Sequence, residues 1–147
     1  PLHFTELTII SGTKRGYQGF RGRAKDWHTT PAGEKLQAQQ VREFYRILFS
    51  HPAVEAITWW DFTDLKAWQG APAGLIRSDM SPKPAYDVLM KLIKQDWWTA
   101  PQTLKTDAKG RVTFRGFLGD YQVKTGERAA TFALDKPGTT HKRAALR

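Results

Sequence analysis

Two runs of apolar and β-branched residues constrain the fold of this chain most. They occupy residues 2–10 and 54–62, and each is followed by a long loop and then by a helical pattern. Apolar runs of this length are typical of strands that are buried in a parallel sheet. The order strand, loop, helix occurs twice, and this order predicts an α/β fold with long loops after the strands.

Both helices have recognisable boundaries. Thr29-Thr30-Pro31 predicts the start of the first helix, because a proline at an early helical position loses no hydrogen bond, and Ser50-His51-Pro52 predicts its end. The second helix is predicted over about residues 83–96. The apolar positions expected to face the core are Leu36, Val41, Phe44, Tyr45 and Leu48 in the first helix and Tyr86, Leu89, Met90 and Ile93 in the second.

The pattern changes after residue 100. Asp107–Gly110 has the composition of a hairpin turn between predicted strands at 103–106 and 111–116, and further short strands are predicted at 120–124 and 129–134. We therefore expect a barrel-like segment at 1–100, a small antiparallel β-sheet at 101–135 and a flexible basic tail at 136–147.

Two strand–helix units cannot close a parallel sheet. The closed form with eight such units, the (β/α)8 or TIM barrel, needs about 250 residues. The sequence therefore predicts the last two βα units of such a barrel, and the remainder of the barrel is expected to lie outside these 147 residues.

Composition excludes several classes of function. The chain has no cysteine, which excludes disulfides and thiolate metal sites, and its four histidines lack metal-ligand spacing, so no metal and no cofactor is expected. No run of about eighteen apolar residues is present, so no membrane contact is expected. The net charge is +9, concentrated in residues 104–147. This excess is consistent with a face that contacts a polyanion or with simple solubility.

A basic and aromatic segment within residues 11–28 resembles a nucleic-acid-binding patch. It combines four cations with three aromatic rings, namely Arg15, Arg21, Arg23, Lys25, Tyr17, Phe20 and Trp27. No complete nucleic-acid-binding module accompanies it. Binding of nucleic acid is therefore the minor alternative for this chain.

The residues that follow the two strands are the candidates for chemistry. Glu6 lies near the end of the first strand, where barrel enzymes place catalytic groups, although a glutamate paired with a rim cation fits the same position. Only one of Trp59 and Trp60 can point into a barrel, because successive strand residues face opposite ways. Trp68 in the next loop could form a sugar platform, whereas core packing accounts better for Trp59, Trp97 and Trp98. Asp61, Asp64 and Asp79 are more typical of loop caps than of catalysts.

These segments resemble glycoside hydrolase family 10, the endo-1,4-β-xylanases. Residues 1–8, Pro-Leu-His-Phe-Thr-Glu-Leu-Thr, resemble the family's seventh-strand segment Pro-Ile-His-Ile-Thr-Glu-Leu-Asp. Residues 57–64, Ile-Thr-Trp-Trp-Asp-Phe-Thr-Asp, followed by Ala67-Trp68, are similar to the eighth-strand segment Ile-Thr-Phe-Trp-Gly-Val-Thr-Asp and its Ser-Trp. Residues 74–79 and Pro82-Lys-Pro-Ala-Tyr86 resemble the closing segment of the family.

The resemblance implies an activity and a set of roles. Glu6 takes the place of the nucleophile in retaining hydrolysis of β-1,4-xylan, and the tryptophans that wall the sugar site correspond to Trp60 and Trp68. His3 and Asp64 are implied as supporting residues. The acid/base of the family is a glutamate on the fourth strand, which these 147 residues do not include, so the chain alone is expected to be inactive. The partners implied are xylan and the rest of the barrel, in a secreted or periplasmic protein.

Two alternatives remain open beside xylan hydrolysis. A β-glucanase would use the same scaffold. A glycan-binding pseudoenzyme is favoured by Thr8, which stands where the family has an aspartate, a residue expected in the hydrogen-bond network of the nucleophile. The resemblance also differs at Asp61, which replaces a small residue.

Overall fold

The structure, a computed structural model, describes residues 1–13 and 26–146. The chain divides into two compact units, Pro1–Lys94 and Gln95–Arg147. The elements in chain order are β1 (Leu2–Leu7), α1 (Pro31–Ser50), β2 (Val54–Trp59), a 3₁₀ turn (Trp68–Gly70), α2 (Pro84–Lys91), a π-helical turn (Leu92–Asp96), β3 (Gly119–Thr125) and β4 (Arg128–Leu134).

The first unit is built on a parallel pair of strands. β1 pairs with β2 in parallel, with Leu2 opposite Val54 and Leu7 opposite Trp59. Helix α1 lies between the two strands in sequence, so the predicted strand–helix–strand arrangement is confirmed. Phe4 of β1 meets Phe44 of α1 edge to face, with 6.1 Å between ring centroids. One face of the pair is therefore covered by α1.

Both strands are less buried than the sequence predicted. In β1 only Phe4 and Leu7 are even partly buried, and the other four residues are exposed. The expectation that this strand is buried on most sides is wrong for the described residues. The reason is that β1 has one described neighbouring strand and that α1 covers one face only.

Helix α1 begins and ends where the sequence predicted. The Thr30 hydroxyl accepts a hydrogen bond from the backbone N–H of Gly33 at 3.0 Å, and Pro31 follows at the first helical position. The predicted apolar face is wrong at one position, because Leu36 is 53% exposed. From Val41 toward the N-terminus, the buried face of α1 includes polar residues. The whole buried face consists of Glu34, Gln37, Ala38, Val41, Tyr45 and Leu48.

Helix α2 follows from a local proline pattern. The residue before Pro84 is held extended and caps the helix, and Pro84 occupies the first turn. The buried apolar residues of this segment are Ala85 and Leu89 of α2 and Leu92 of the π-helical turn. Met90 and Ile93, which were predicted to face the core, are more than 40% exposed, because the helix turns a different face to α1.

The second unit is a hairpin with an aromatic cluster. β3 and β4 pair antiparallel from Gly119 opposite Leu134 to Thr125 opposite Arg128, which confirms the two later predicted strands. The predicted strands at 103–106 and 111–116 are absent from the described residues. The Asp107 turn forms, since its carboxylate accepts hydrogen bonds from two backbone N–H groups, but its flanks make no ladder.

The aromatic cluster lies on one face of the hairpin. Tyr121 stacks on Phe132 at 5.7 Å, and Phe114 packs against both rings. The Tyr121 hydroxyl donates to the carbonyl of Phe117 at 2.6 Å and pairs with the Thr99 hydroxyl at 3.0 Å. Trp98 was expected in the core, but it is 57% exposed.

Two further sequence predictions concern the flexible basic tail and the basic and aromatic segment within residues 11–28. Residues 136–146 contain no helix or strand. Apart from Trp27, the basic and aromatic segment lies outside the described residues. Within the described residues, the helices are too short or too polar to cross a membrane.

Candidate functional site

The ends of β1 and β2 bring two of the predicted site residues to one edge of the sheet. Glu6 is the penultimate residue of β1 and is exposed. Trp60 directly follows β2, and its backbone N–H donates to the carbonyl of Leu7 at 2.9 Å. Adjacent strands lie about 4.8 Å apart, so the chain positions of Glu6 and Trp60 lie close together at the carboxyl edge of this sheet. The Trp60 side chain is 50% exposed.

Trp68 is tied to the same edge by a side chain. Its backbone N–H donates to Oδ1 of Asp61 at 3.1 Å, and Asp61 follows Trp60 in the chain. The Trp68 side chain is 53% exposed. The structure therefore fixes two half-exposed indoles at one end of the strands, and the exposed carboxylate of Glu6 lies at that end too. In contrast, Trp59 is half-buried, and its Nε1 donates to the carbonyl of Ala73 at 3.1 Å.

His3 lies further from this edge. Its Nε2 is 3.4 Å from Oε2 of Glu55, and both side chains are more than half exposed. Glu6 follows it by three positions of extended strand, about 10 Å along the chain. Its supporting role stays a prediction, and the contact that the structure gives it is with Glu55.

Asp64 contacts the interior of the unit. Its side chain is 8% exposed and forms an ion pair with Nζ of Lys83, whose side chain is fully buried, at 2.8 Å. Oδ1 of Asp64 also accepts from the backbone N–H of Gly74 at 2.8 Å. Lys83 further donates to Oγ of Ser11 at 2.9 Å. Burial lowers the pKa of Lys83, and the hydrogen bond and charge of Asp64 oppose this shift.

A chain of hydrogen bonds continues from Ser11 to helix α1. Oγ of Ser11 lies 2.7 Å from the hydroxyl of Thr29, which donates to Oε1 of Glu34 at 3.0 Å. Glu34 in turn accepts two hydrogen bonds from the guanidinium of Arg77, at 2.8 and 2.5 Å. Burial raises the pKa of Glu34, but the hydrogen bonds from Arg77 and Thr29 more than offset burial and leave the pKa below its ordinary value.

This network joins the loops that follow both strands. The backbone N–H of Ser11 donates to the carbonyl of Pro72 at 2.8 Å, and that of Thr30 donates to the carbonyl of Ser11 at 3.0 Å. Gly33 makes the close approach possible, because a Cβ at this position would lie 1.9 Å from the carbonyl oxygen of Ser11. Gln37 donates to the carbonyl of Ile9 at 2.7 Å, and its own Oε1 is buried without a partner among the described residues. The arrangement holds the site's loops in place and has no exposed nucleophile of its own.

A shallow cavity of about 280 Å³ borders the network. This volume is at the lower limit of ordinary ligand pockets. Residues 1–13 and 26–146 contain no group of three histidine, aspartate or glutamate side chains that could hold a metal ion. The cavity lining is Trp27, His28, Thr29, Asp64, Gly70, Ala71, Pro72, Arg77, Ser78 and Asp79.

Comparison with known proteins identifies the family. The sequence model described as "Glycosyl hydrolase family 10" matches residues 1–92. The chain belongs to glycosyl hydrolase family 10. The family 10 match covers nearly all of the first unit, including the strand ends and the buried network, and stops before β3 and β4. The resemblance stated from the sequence is thereby confirmed.

Individual relatives share part of this family 10 chain. Anti-sigma-I factor RsgI6 of Acetivibrio thermocellus is 30% identical over 98 residues, which are 67% of this chain and 13% of that protein. Xylanase 10B of Thermotoga petrophila RKU-1, solved in complex with xylobiose, is 23% identical with a TM-score of 0.48 over 64% of this chain. CbXyn10B in its native form is 22% identical with a TM-score of 0.44 over 58% of this chain. The chain spans 27% of each of those two solved chains.

The sequence missed the buried polar network. Ser11, Glu34 and Lys83 each belong to residue types that are common on surfaces, so none stood out alone. A signal was nevertheless present on α1. Extending the buried period of Val41, Tyr45 and Leu48 backwards by three and four residues leads through Ala38 and Gln37 to Glu34.

Proposed function

We propose that this chain supplies the nucleophile and part of the sugar-binding wall of a retaining glycoside hydrolase that cleaves β-1,4-xylan. One observation carries the proposal most strongly: an exposed Glu6, the penultimate residue of β1, lies at the edge where β2 leads directly into the half-exposed Trp60. Barrel enzymes use this carboxyl edge for catalysis. Membership in family 10 supports the class of reaction.

The fold that the proposal needs is a (β/α)8 barrel. We propose that residues 1–100 form its last two βα units, with residues 101–135 as an appended sheet and 136–147 as a tail. The parallel pairing of β1 and β2 supports this arrangement, and so does the position of α1 on one face of the pair. The sheet face opposite α1 would then line the barrel interior.

In the proposed reaction, this chain provides one of the two catalytic carboxyl groups. Glu6, ionised, attacks the anomeric carbon and forms a glycosyl-enzyme, while an acid from another strand protonates the leaving oxygen. Water that is activated by the same group then releases the sugar. Retaining enzymes place the two carboxyl groups about 5–5.5 Å apart. Because the second carboxyl group would come from a strand outside these residues, the activity belongs to the assembled barrel.

The two half-exposed indoles provide the binding surface. Trp60 and Trp68 are each about half exposed, and indole faces cover the apolar face of a pyranose ring well. We propose that they bind the xylose units beside the scissile bond. A polymeric substrate does not enter cells intact, so we also propose that the protein is secreted or periplasmic.

The test is Glu6→Gln in the intact protein, with Glu43→Gln as the matched control. Glu43 is an exposed glutamate on α1 that accepts a hydrogen bond from the side chain of Gln39. Glu6→Gln should lower kcat on xylan at least about a thousandfold, as loss of a nucleophile does in other enzymes, and Glu43→Gln should leave kcat unchanged. Glu6→Ala should regain activity with azide, which occupies the space of the missing carboxylate. Hydrolysis by Glu6→Gln within tenfold of the wild type would refute the assignment.

A second candidate function is glycan binding without hydrolysis. Two observations favour it, namely Thr8 in place of an aspartate and a relative that is named as an anti-sigma factor and not as a hydrolase. Reducing-sugar release from xylan separates the two candidates. A protein that binds xylan through Trp60 and Trp68, but releases no reducing sugar, would be a glycan-binding pseudoenzyme.

A further inference from the structure

We propose that Asp61 is a positioning residue that holds Trp68 as a platform for the glycan. This inference rests on the proposed function, because it assumes that Trp68 contacts sugar. It adds a second carboxylate to the site, with a role that differs from that of Glu6. Asp61 acts through Trp68 and takes no part in bond cleavage.

The contact is direct and charge-assisted. Oδ1 of Asp61 accepts the backbone N–H of Trp68 at 3.1 Å across seven residues of chain. Hydrogen bonds to an ionised acceptor are roughly twice as strong as neutral ones. Asp61 is partly buried and directly follows Trp60 in the chain. Its side chain therefore links the backbone next to Trp60 to the backbone N–H of Trp68.

The loop that carries Trp68 needs such a tether. Lys66 and Gln69, on either side of the tryptophan, have positive φ values of 59° and 55°, a conformation that residues other than glycine adopt infrequently. A loop with two such residues keeps its shape only when surrounding contacts fix it. The base of the loop is fixed by Asp64, whose carbonyl accepts from Ala67 at 3.3 Å.

Asp61 supplies the contact at the tryptophan itself. Asp64 is held by Lys83 and fixes the loop at residue 67, whereas Asp61 reaches residue 68. Removal of the Asp61 carboxylate leaves intact the lower tether and the hydrogen bond from Ala71 to the Trp68 carbonyl, but the hydrogen bond that Asp61 accepts from the Trp68 backbone N–H is lost. The expected effect is therefore on the orientation of the indole and on glycan affinity, and the chemistry at Glu6 should be spared.

The experiment measures binding and kinetics in the intact protein. Binding of xylohexaose is followed by calorimetry in a Glu6→Gln background, and kcat and KM on the same oligosaccharide are measured with Glu6 present. Asp61→Ala should weaken binding and raise KM about tenfold, the effect of one net hydrogen bond, with kcat within twofold. Asp61→Asn, which keeps the acceptor oxygen, should restore binding to within about threefold of the wild type. The control is Asp107→Ala, since Asp107 also accepts backbone N–H groups, but in the second unit.

A double variant tests whether the effect passes through Trp68. Trp68→Ala should weaken binding, and adding Asp61→Ala to it should change the affinity by less than about twofold. Additive losses, or an Asp61→Ala protein with unchanged KM, would overturn the inference. Should Asp61→Ala fail to fold, Asp61→Ser replaces it in the same comparison. A Glu6→Gln protein that still hydrolyses xylan would refute the nucleophile assignment and leave the coupling of Asp61 to Trp68 standing.

Discussion

Replacement of Lys83 by methionine should destabilise the first unit strongly, although methionine fills a similar volume. The side chain of Lys83 is fully buried, and its ammonium donates to Asp64 at 2.8 Å and to Ser11 at 2.9 Å. Without it, the Asp64 carboxylate, 8% exposed, keeps the hydrogen bond from the backbone N–H of Gly74 but has lost its cation. Removing one partner of a buried ion pair leaves an uncompensated charge and costs about 3–5 kcal/mol. We therefore expect Lys83→Met to lower the free energy of unfolding by about 4 kcal/mol.

The assay is urea denaturation of the intact protein at neutral pH, with hydrogen exchange of residues 61–76 as the local readout. Lys35→Met, an exposed lysine on α1, is the matched control and should stay within about 0.5 kcal/mol of the wild type. Lys83→Met with Asp64→Asn should lose less than the sum of the single changes, because neither residue 64 nor residue 83 then carries an unpaired buried charge. A Lys83→Met protein within about 1 kcal/mol of the wild type would refute the reasoning.

Two further predictions concern the Glu34–Arg77 pair and the aromatic hairpin. The pKa of Glu34 is lower in the folded state than in the unfolded chain, where it is about 4.3. The ionised Glu34 therefore stabilises the fold fully above a pH of about 4.3. This stabilisation is lost as pH falls through the folded-state pKa. Urea denaturation across this acid range should therefore show a steeper loss of stability in the wild type than in Glu34→Gln. Gly116→Ala should destabilise the second unit by about 1–3 kcal/mol, because its Cβ would lie 2.3 Å from the Tyr121 hydroxyl. Hydrogen exchange of residues 95–146 measures this change.

Each of these predictions has an outcome that contradicts it. Equal acid sensitivity in Glu34→Gln and the wild type would show that the pair adds no pH-dependent stability. For the hairpin, Tyr121→Phe removes the oxygen that the new methyl group meets. Gly116→Ala should therefore be milder in a Tyr121→Phe background, and an unchanged effect would disprove the steric explanation.

The sequence predicted the parts of the fold that local patterns determine. The start of α1 was predictable because Thr30 and Pro31 form a cap within a few residues. The parallel pairing of β1 and β2 followed from two apolar runs joined by a helix. The strands predicted on either side of Asp107 were wrong. The local composition determines the turn itself, whereas pairing of the flanking residues depends on tertiary contacts that the composition does not reveal.

The residues of the candidate site also fall into those that local motifs predicted and those that only long-range contacts reveal. Glu6, Trp60 and Trp68 were predicted as site residues from motifs that are contiguous in sequence, and their roles stay predictions. The hydrogen bond from Lys83 to Ser11 spans 72 residues, and no local pattern predicts such a partner. Leu36 shows the reverse error: it looked like a core residue, but polar Glu34 and Gln37 occupy the buried face beside it. Hydrophobicity alone could not identify a face whose buried groups are satisfied by hydrogen bonds.

Covalent trapping of the glycosyl-enzyme tests the role of Glu6 most directly. A 2-deoxy-2-fluoro-xylobioside with a good leaving group forms the ester with a retaining nucleophile and slows its hydrolysis. Mass spectrometry of the digested intact protein should then find the sugar on the peptide that contains Glu6, and on no other peptide. A label on a different carboxylate, or turnover of xylan with no label at Glu6, would contradict the assignment.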